Sequence, residues 1–400
     1  MYIRKIFKGF MLAGLISTVG HLQAENTKPY FSIPLIDLND QANRQIIVDK
    51  EKGVYLAHPT TVLLEDGKTM LAVYPRGTHA KGECVLKRSE DGGLTWGERL
   101  GAPGRPDDWV KPGVQEVPTI HRVVDAEGKK RLIIFTGLYP VRISVSEDDG
   151  MTWTPFKPVG DWGGIVVMST VFELNTGKGH YMALFHDDGR FFTKAGRKGK
   201  QKDMAFYKTT SRDGGMTWSF PEIIFKRSDV HLCEPGSIRS PDGKQIAVLL
   251  RENSRTKNSH IMFSDDEGKT WSTPREMPNS LNGDRHTGKY GPEGRIFISF
   301  RDRSPTGKKS PTAGDWVGWV GTYDDLLKGN EGQYRVRVKK NHPYKKGSRL
   351  RTGDCAYPGV EILPDGTFVT TTYGTWEKDK SHYILSVRFK LEELDKMAKK

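Results

Sequence analysis

Six segments of the 400-residue sequence open alike, with a short apolar strand, a turn and a second strand. Their first residues are His58, Val117, Met168, Glu234, Arg285 and Tyr357. Four of these six are polar or ionisable: an imidazole, a carboxylate, a guanidinium and a phenol. If the segments are equivalent in space, these groups meet in one place, and apolar residues would be the default there. A polar set is the composition of a site. Such groups can pass a proton between a phenol or imidazole and a carboxylate, and can hold an anion on a guanidinium. Further candidates end the second strands: Arg76 in VYPRG, His186 in ALFHDDG, Arg251 in AVLLREN and Arg301 in FISFRDR, with Arg303 close by. The plainer reading is that Tyr357 simply packs, that each Arg serves a structural ion pair, and that His186 is structural.

The elements that must position these residues repeat. One pattern, S-x-D-x-G-x-T-W, recurs at Ser89–Trp96, Ser146–Trp153, Ser211–Trp218 and Ser264–Trp271, with starts 57, 65 and 53 residues apart. Repetition at that spacing indicates a repeat architecture. The motif is a turn: Ser and Asp side chains can accept backbone N–H groups, Gly permits positive φ, and Trp buries a large ring. All four tryptophans are expected to be buried at the periphery. Strand pairs recur six times, and the segments Tyr30–Leu38 and Arg44–Val48 are expected to complete the last unit. Tyr323–Tyr334 reads as a degenerate remnant of the turn motif. The final residues from Leu391 read as a short solvated helix or frayed tail.

Composition agrees. Hydrophobic residues make up 36%, with 44 Gly and 22 Pro, which suits short strands and turns better than long helices. Arg4, Lys5 and Lys8 precede an apolar run from Phe10 to Val19, and Leu22-Gln23-Ala24 offers a cleavage site. Residues 1–24 are therefore expected to be a signal peptide, with the exported chain periplasmic or secreted and residues 25–400 forming one domain. The run is too short to span a bilayer. The formal charge of +13 becomes +10 without that segment. For an exported chain this points to an acidic glycan rather than nucleic acid as partner, or to a merely basic surface. Lys194–Lys202 and Lys345–Arg351 read as basic surface loops. The three cysteines lack metal-site spacing and read mostly as buried thiols, with one bridge left open. No metal or nucleotide motif is present, and neither cofactor nor oligomer is expected.

The turn motif resembles the Asp-box of the sialidase superfamily, where it joins outer strands of a propeller blade and its aspartates are structural. The resemblance covers nearly the whole chain after residue 24. It implies an all-β fold, a six-bladed β-propeller of four-stranded antiparallel blades, in which the starts of the innermost strands face a central funnel. Tyr357, in DCAYPGVEILPDG, falls on the family's nucleophile. Glu234 and Arg251, in CEPGSIRSPDGKQIAVLLREN, match its Glu partner and a following Arg. Arg76 matches another family Arg. The family's first-blade Arg is replaced here by His58, in Ala57-His58-Pro59. The family's acid/base Asp has no counterpart in His79–Ser89. Glu83 either takes that role or is a solvated strand-end charge, and His79 is the other titratable group.

A neutral phenol, activated by Glu234, approaches an anomeric centre bearing a carboxylate without the repulsion that a carboxylate nucleophile would meet. The resemblance thus implies a retaining exo-glycosidase for sialic acid or a related acidic sugar. Its catalytic residues would be Tyr357, Glu234 and Glu83. Its substrate would be held by Arg76, Arg251, Arg285, Arg301, His58 and His186. A glycosidase or lyase for another uronate or sulfated sugar, or a non-catalytic glycan-binding propeller, are the alternatives.

Overall fold

Apolar runs rich in β-branched and aromatic residues, such as IAVLL at Ile246–Leu250 and IFISF at Ile296–Phe300, are buried along their whole length. Strands covered on both faces read this way in sequence. In the computed structural model, which describes residues 29–77, 82–101, 104–110, 116–193, 203–343 and 354–399, such strands assemble into six antiparallel blades. The innermost strand of each blade touches that of the next. The innermost strand of the sixth touches that of the first, so the ring is closed.

The inner strands of blades two to five are Glu116–Val124, Ile165–Glu173, Leu232–Arg239 and Gly283–Tyr290. Blade six begins with Gly359–Ile362. In blade one the inner strand is split into Tyr55–Leu56 and Thr60–Leu63, both paired with Met70–Gly77. The fourth strand of blade one is the stretch 97–100, tied to the third by Gly97 N–H to Arg88 O and Leu100 N–H to Leu86 O, 2.9 Å each. Because the strands alternate in direction, inner-strand starts and second-strand ends lie on one face of the ring. The four repeated turns, which follow the third strands, lie on the other.

Those turns are alike. In the first, Gly93 N–H donates to Ser89 Oγ at 2.8 Å, and Thr95 N–H to Asp91 Oδ1 at 2.9 Å. The same bonds recur around Asp148, Asp213 and Asp266. Gly150 has φ of 87° and leaves no room for a Cβ beside Leu71 of the preceding blade, so the turn docks blade on blade only with glycine there. Trp153 and Trp218 are buried, Trp218 edge-on to Phe135 at 5.6 Å. Trp96 and Trp271 are only partly buried, contrary to the expectation for all four.

Closure of the ring differs in part from the sequence expectation. Gln45–Asp49 does complete blade six, against Tyr383–Phe389. Leu35–Asp37 instead runs parallel to Tyr334–Lys339 and adds a fifth strand to blade five. Tyr323–Lys328 is a helix rather than a remnant turn, because Thr322 and Asp325 form a reciprocal capping box and Gly329 closes it with φ of 78°. The terminal helix Leu391–Ala398 is not solvated all round: Leu391 and Leu394 pack into the cluster that holds Phe368 and Phe389. All three cysteines are buried free thiols. Among the described residues no helix is long and apolar enough to cross a membrane. The signal segment 1–24, His79 and both basic loops lie outside the described residues, save for the edges of the second loop's surroundings at Asn341–Pro343.

Candidate active site

Four of the inner strands shift register near their start, and in blade one the strand is broken at the same place. Glu116 pairs with Gly137 and Thr119 with Phe135, so Val117 and Pro118 oppose Thr136 alone, and the same two-against-one shift recurs between Cys233 and Gly236 and between Asp284 and Thr287. Near each of the six starts a non-glycine residue is left-handed: His58 (φ 47°), Val117 (41°), Met168 (50°), Glu234 (51°), Arg285 (55°) and Ala356 (54°), with Val166 (48°) a second one in blade three. Such a backbone costs of order 1–3 kcal/mol per residue and persists only where its surroundings enforce it. A bulge re-aims side chains. The sixth member is Ala356, so Tyr357 stands one residue beyond the equivalence that its sequence suggests. Tyr357-Pro358 looks like His58-Pro59 and Glu234-Pro235, but the backbone matches Ala356 to His58 and Glu234.

That offset brings two blades together. The Tyr357 hydroxyl donates to Glu234 Oε1, and Arg251 Nη1 donates to the same oxygen at 2.5 Å. Both are nearly buried, Tyr357 at 7% and Glu234 at 3% exposure. Glu234 Oε2 has no hydrogen-bond partner among the described residues. Burial, the largest influence, pushes the Glu234 carboxyl up, but the Arg251 charge and the Tyr357 hydrogen bond together bring the group below its usual range. Burial, and then the Glu234 charge, drive the Tyr357 phenol well above its usual value. The couple is thus a carboxylate accepting from a neutral phenol. His186 accepts the Glu234 backbone N–H on Nδ1 at 3.3 Å, and burial lowers its pKa to about 4, so it is a neutral acceptor.

Behind the couple lies a hub of charge. Asp284 is fully buried and receives Arg255 Nη2 at 2.9 Å and Arg301 Nη2 at 2.8 Å, with Arg251 Nε at 3.4 Å and Arg303 Nε at 3.8 Å. Burial pushes its carboxyl up, yet the surrounding guanidiniums hold it well below the carboxylate range. Arg301 also donates to Asp354 at 2.9 Å and lies 5.7 Å from the centre of the Tyr357 ring. Asp354 accepts from Tyr55 and Tyr373, each at 2.8 Å, and Tyr373 Oη meets His58 Nε2 at 2.9 Å. His58 stands edge-on to Tyr357, ring centres 4.5 Å apart.

This arrangement of blades has known counterparts. Residues 135–298 match the model of a BNR repeat-like domain. A protein of unknown function from Dyadobacter fermentans superposes with a TM-score of 0.64 at 14% identity, covering 86% of this chain and 97% of that one. An intramolecular trans-sialidase from Ruminococcus gnavus gives 0.55 at 14%, covering 85% and 95%. The chain has the fold of a sialidase-like BNR propeller. An α-L-arabinofuranosidase from Fusarium graminearum shares it too, with a TM-score of 0.59 at 11% identity, covering 88% and 99%. No curated protein matches the sequence.

Within this sialidase-like propeller, Tyr357, Glu234, Arg251, Arg301, His58 and His186 form one contiguous cluster. Arg285 does not share its guanidinium with that cluster. It donates to the carbonyls of Pro235 (3.1 Å) and Ser169 (2.8 Å), stitching blades three, four and five across the axis. Arg76 and Glu83 pair with each other, and Arg76 also binds Glu51. Arg105 stands 3.8 Å from Glu83. Glu83 is thereby held in an ion-pair chain along blade one, and no contact joins it to Tyr357 or Glu234.

Asp284, Asp354, Arg255 and Glu116 were not singled out from the sequence. Glu116 precedes left-handed Val117, is 2% exposed, and accepts Val166 N–H at 3.1 Å. Burial, reinforced by the Glu234 charge, raises its pKa to about 8. The signal was available one step away: Glu116, Asp284 and Cys233 each immediately precede a residue that was chosen. His121 is half-buried, its pKa lowered to about 3 by desolvation, but it binds Met168 O at 3.0 Å and reads as structural. Among the described residues no cluster of His, Cys, Asp and Glu is arranged to hold a metal ion.

Proposed function

We propose that the protein is an exported retaining glycoside hydrolase acting on a terminal acidic sugar. The observation that carries the reading is the buried Tyr357–Glu234 hydrogen bond, with Arg251 on the same carboxylate oxygen. A phenol is a poor nucleophile until a base takes its proton, and Glu234 is an ionised acceptor already in contact with it. In the first step Tyr357 Oη bonds to the anomeric carbon while its proton passes to Glu234. The bond to the leaving oxygen breaks and that oxygen takes a proton.

Glu116 is the donor we assign, in place of Glu83. It keeps its proton up to about pH 8 and lies close enough to Glu234 to feel its charge. In the second step water attacks, Glu116 takes a proton from it, and Tyr357 leaves with the proton held on Glu234. Arg251 is the guanidinium we assign to the anionic group of the sugar, since all three nitrogens of Arg301 are engaged by Asp284 and Asp354.

Two observations favour an acidic sugar other than sialic acid. His58 stands where the family's first clamp Arg is expected, and an imidazole cannot make a bidentate fork. Arg285, the other clamp candidate, is committed to backbone carbonyls. A panel of fluorogenic sialosides, uronides, sulfated glycosides and neutral glycosides tests the reading. Turnover of an acidic member supports it. Tight binding of acidic glycans with no turnover would leave a glycan-binding propeller.

A further inference from the structure

On the same face as Tyr357, blade five opens a cavity of about 470 Å3, lined by Asp302, Arg303, Ser304, Lys308, Lys309 and Asn341 among others. Strand direction places it there. Arg303 follows the end of the second strand, Ile296–Asp302, and that end lies beside the inner-strand starts. The cavity is also continuous with the charge hub. Arg303 Nε stands 3.8 Å from Asp284, which itself binds Arg301, the guanidinium over the Tyr357 ring.

The cavity is basic. Lys308 and Lys309 are exposed and neither has a carboxylate partner among the described residues. The one acidic residue in the lining, Asp302, is fully buried. Its Oδ2 accepts from Ser310 (2.5 Å) and Thr312 (2.6 Å) and forms an ion pair with Arg335 (2.9 Å), so its charge is met from within the blade. Burial, and then repulsion from Arg301, lower the pKa of Arg303 against the pull of Asp284. Ser304 and Asn341 add polar groups at the wall. A volume of this size accommodates one sugar residue.

We propose that this cavity binds an anionic group, sulfate or carboxylate, on the glycan residue next to the one held at Tyr357. The proposal deepens the reading of the protein as a glycosidase for acidic glycans, and rests on it for the neighbouring sugar. Binding of the anion itself does not require turnover. Charge-assisted contacts from Arg303 and the two lysines would select charged glycans over neutral ones, and the selection weakens with salt.

Calorimetric titration of the full chain with three tetrasaccharides tests this: chondroitin 4-sulfate, unsulfated chondroitin and neutral chitotetraose. The acidic ligands are expected to bind about tenfold or more tightly than chitotetraose. Lys308→Ala/Lys309→Ala should cut that preference several-fold, and Arg303→Gln should cut it further, the remainder coming from Arg251 at the Tyr357 site. Preference for the sulfated over the unsulfated form assigns sulfate. Equal binding of the two acidic forms assigns carboxylate. Equal binding of all three ligands, or a preference undiminished in both variants, overturns the proposal. Loss of turnover in the fluorogenic panel bears on Tyr357 and Glu234 alone, so the two failures are told apart.

Discussion

Tyr357 Oη donates to Glu234 Oε1 across 123 residues of chain, from blade six to blade four. The contact exists because the register shift between Cys233 and Gly236 aims the blade-four strand start inward and because Tyr357 sits one residue past the left-handed Ala356. Glu234 is itself left-handed, so its carboxylate is fixed by backbone geometry as well as by Arg251 and by His186 at its N–H.

Arg251 sets the charge of Glu234, so Arg251→Ala should let burial dominate and raise the Glu234 pKa. The acid limb of the pH–rate profile is expected to move upward. kcat/KM should fall by roughly thirtyfold, the scale of about 2 kcal/mol for a lost charged hydrogen bond. Arg251→Lys should restore part of the loss, since a point charge replaces a fork. An acid limb unmoved in Arg251→Ala would separate Arg251 from the base.

Glu116 must be protonated to donate, so activity should decline as pH rises through about 8. The sign follows from its raised pKa: the active form exists below that value and is lost above it. Glu116→Gln should abolish this alkaline limb and depress hydrolysis of poor leaving groups far more than of activated aryl glycosides. Measuring kcat against leaving-group acidity checks both. An unchanged alkaline limb in the variant would return the acid role to another residue.

Asp284 is a buried anion facing Arg251, Arg255 and Arg301, and replacing it strands those charges. Asp284→Asn is expected to destabilise the fold by about 3–5 kcal/mol, read from the midpoint of urea unfolding. A loss below about 1 kcal/mol would mean that the arginines find other partners.

The ring of blades was legible because its signals are local. The Ser, Asp, Gly and Thr of each repeated turn bond within a few residues of one another, as at Ser89–Thr95, so eight residues suffice to specify it. Leu35–Asp37 was placed in the wrong blade because strand pairing across about 300 residues leaves no local trace. The site was half legible for the same reason. Tyr357, Glu234 and Arg251 stand beside recognisable strand starts and ends. Asp284 and Asp354 are not legible because an acid that neutralises arginines of other elements, as Asp284 does for Arg251, Arg255 and Arg301 and Asp354 for Arg301, is defined by three-dimensional company, not by its neighbours in sequence. Glu83 looked available in sequence, but its pairing with Arg76 lies across a strand pair, Arg76 opposite Glu83, that only register discloses.

The central claim is that Tyr357 carries the sugar. Tyr357→Phe removes one hydroxyl and leaves the ring that packs beside His58 and Arg301, so folding and glycan binding should persist while turnover falls about a hundredfold or more. The most direct measurement uses the native chain: incubation with a fluorinated analogue of its best acidic substrate, proteolysis, and mass spectrometry of the peptide that contains Tyr357. The account predicts a glycosyl adduct on that phenolic oxygen, absent from Tyr357→Phe. An adduct on Glu234 or Glu116, or full activity in Tyr357→Phe, would contradict it.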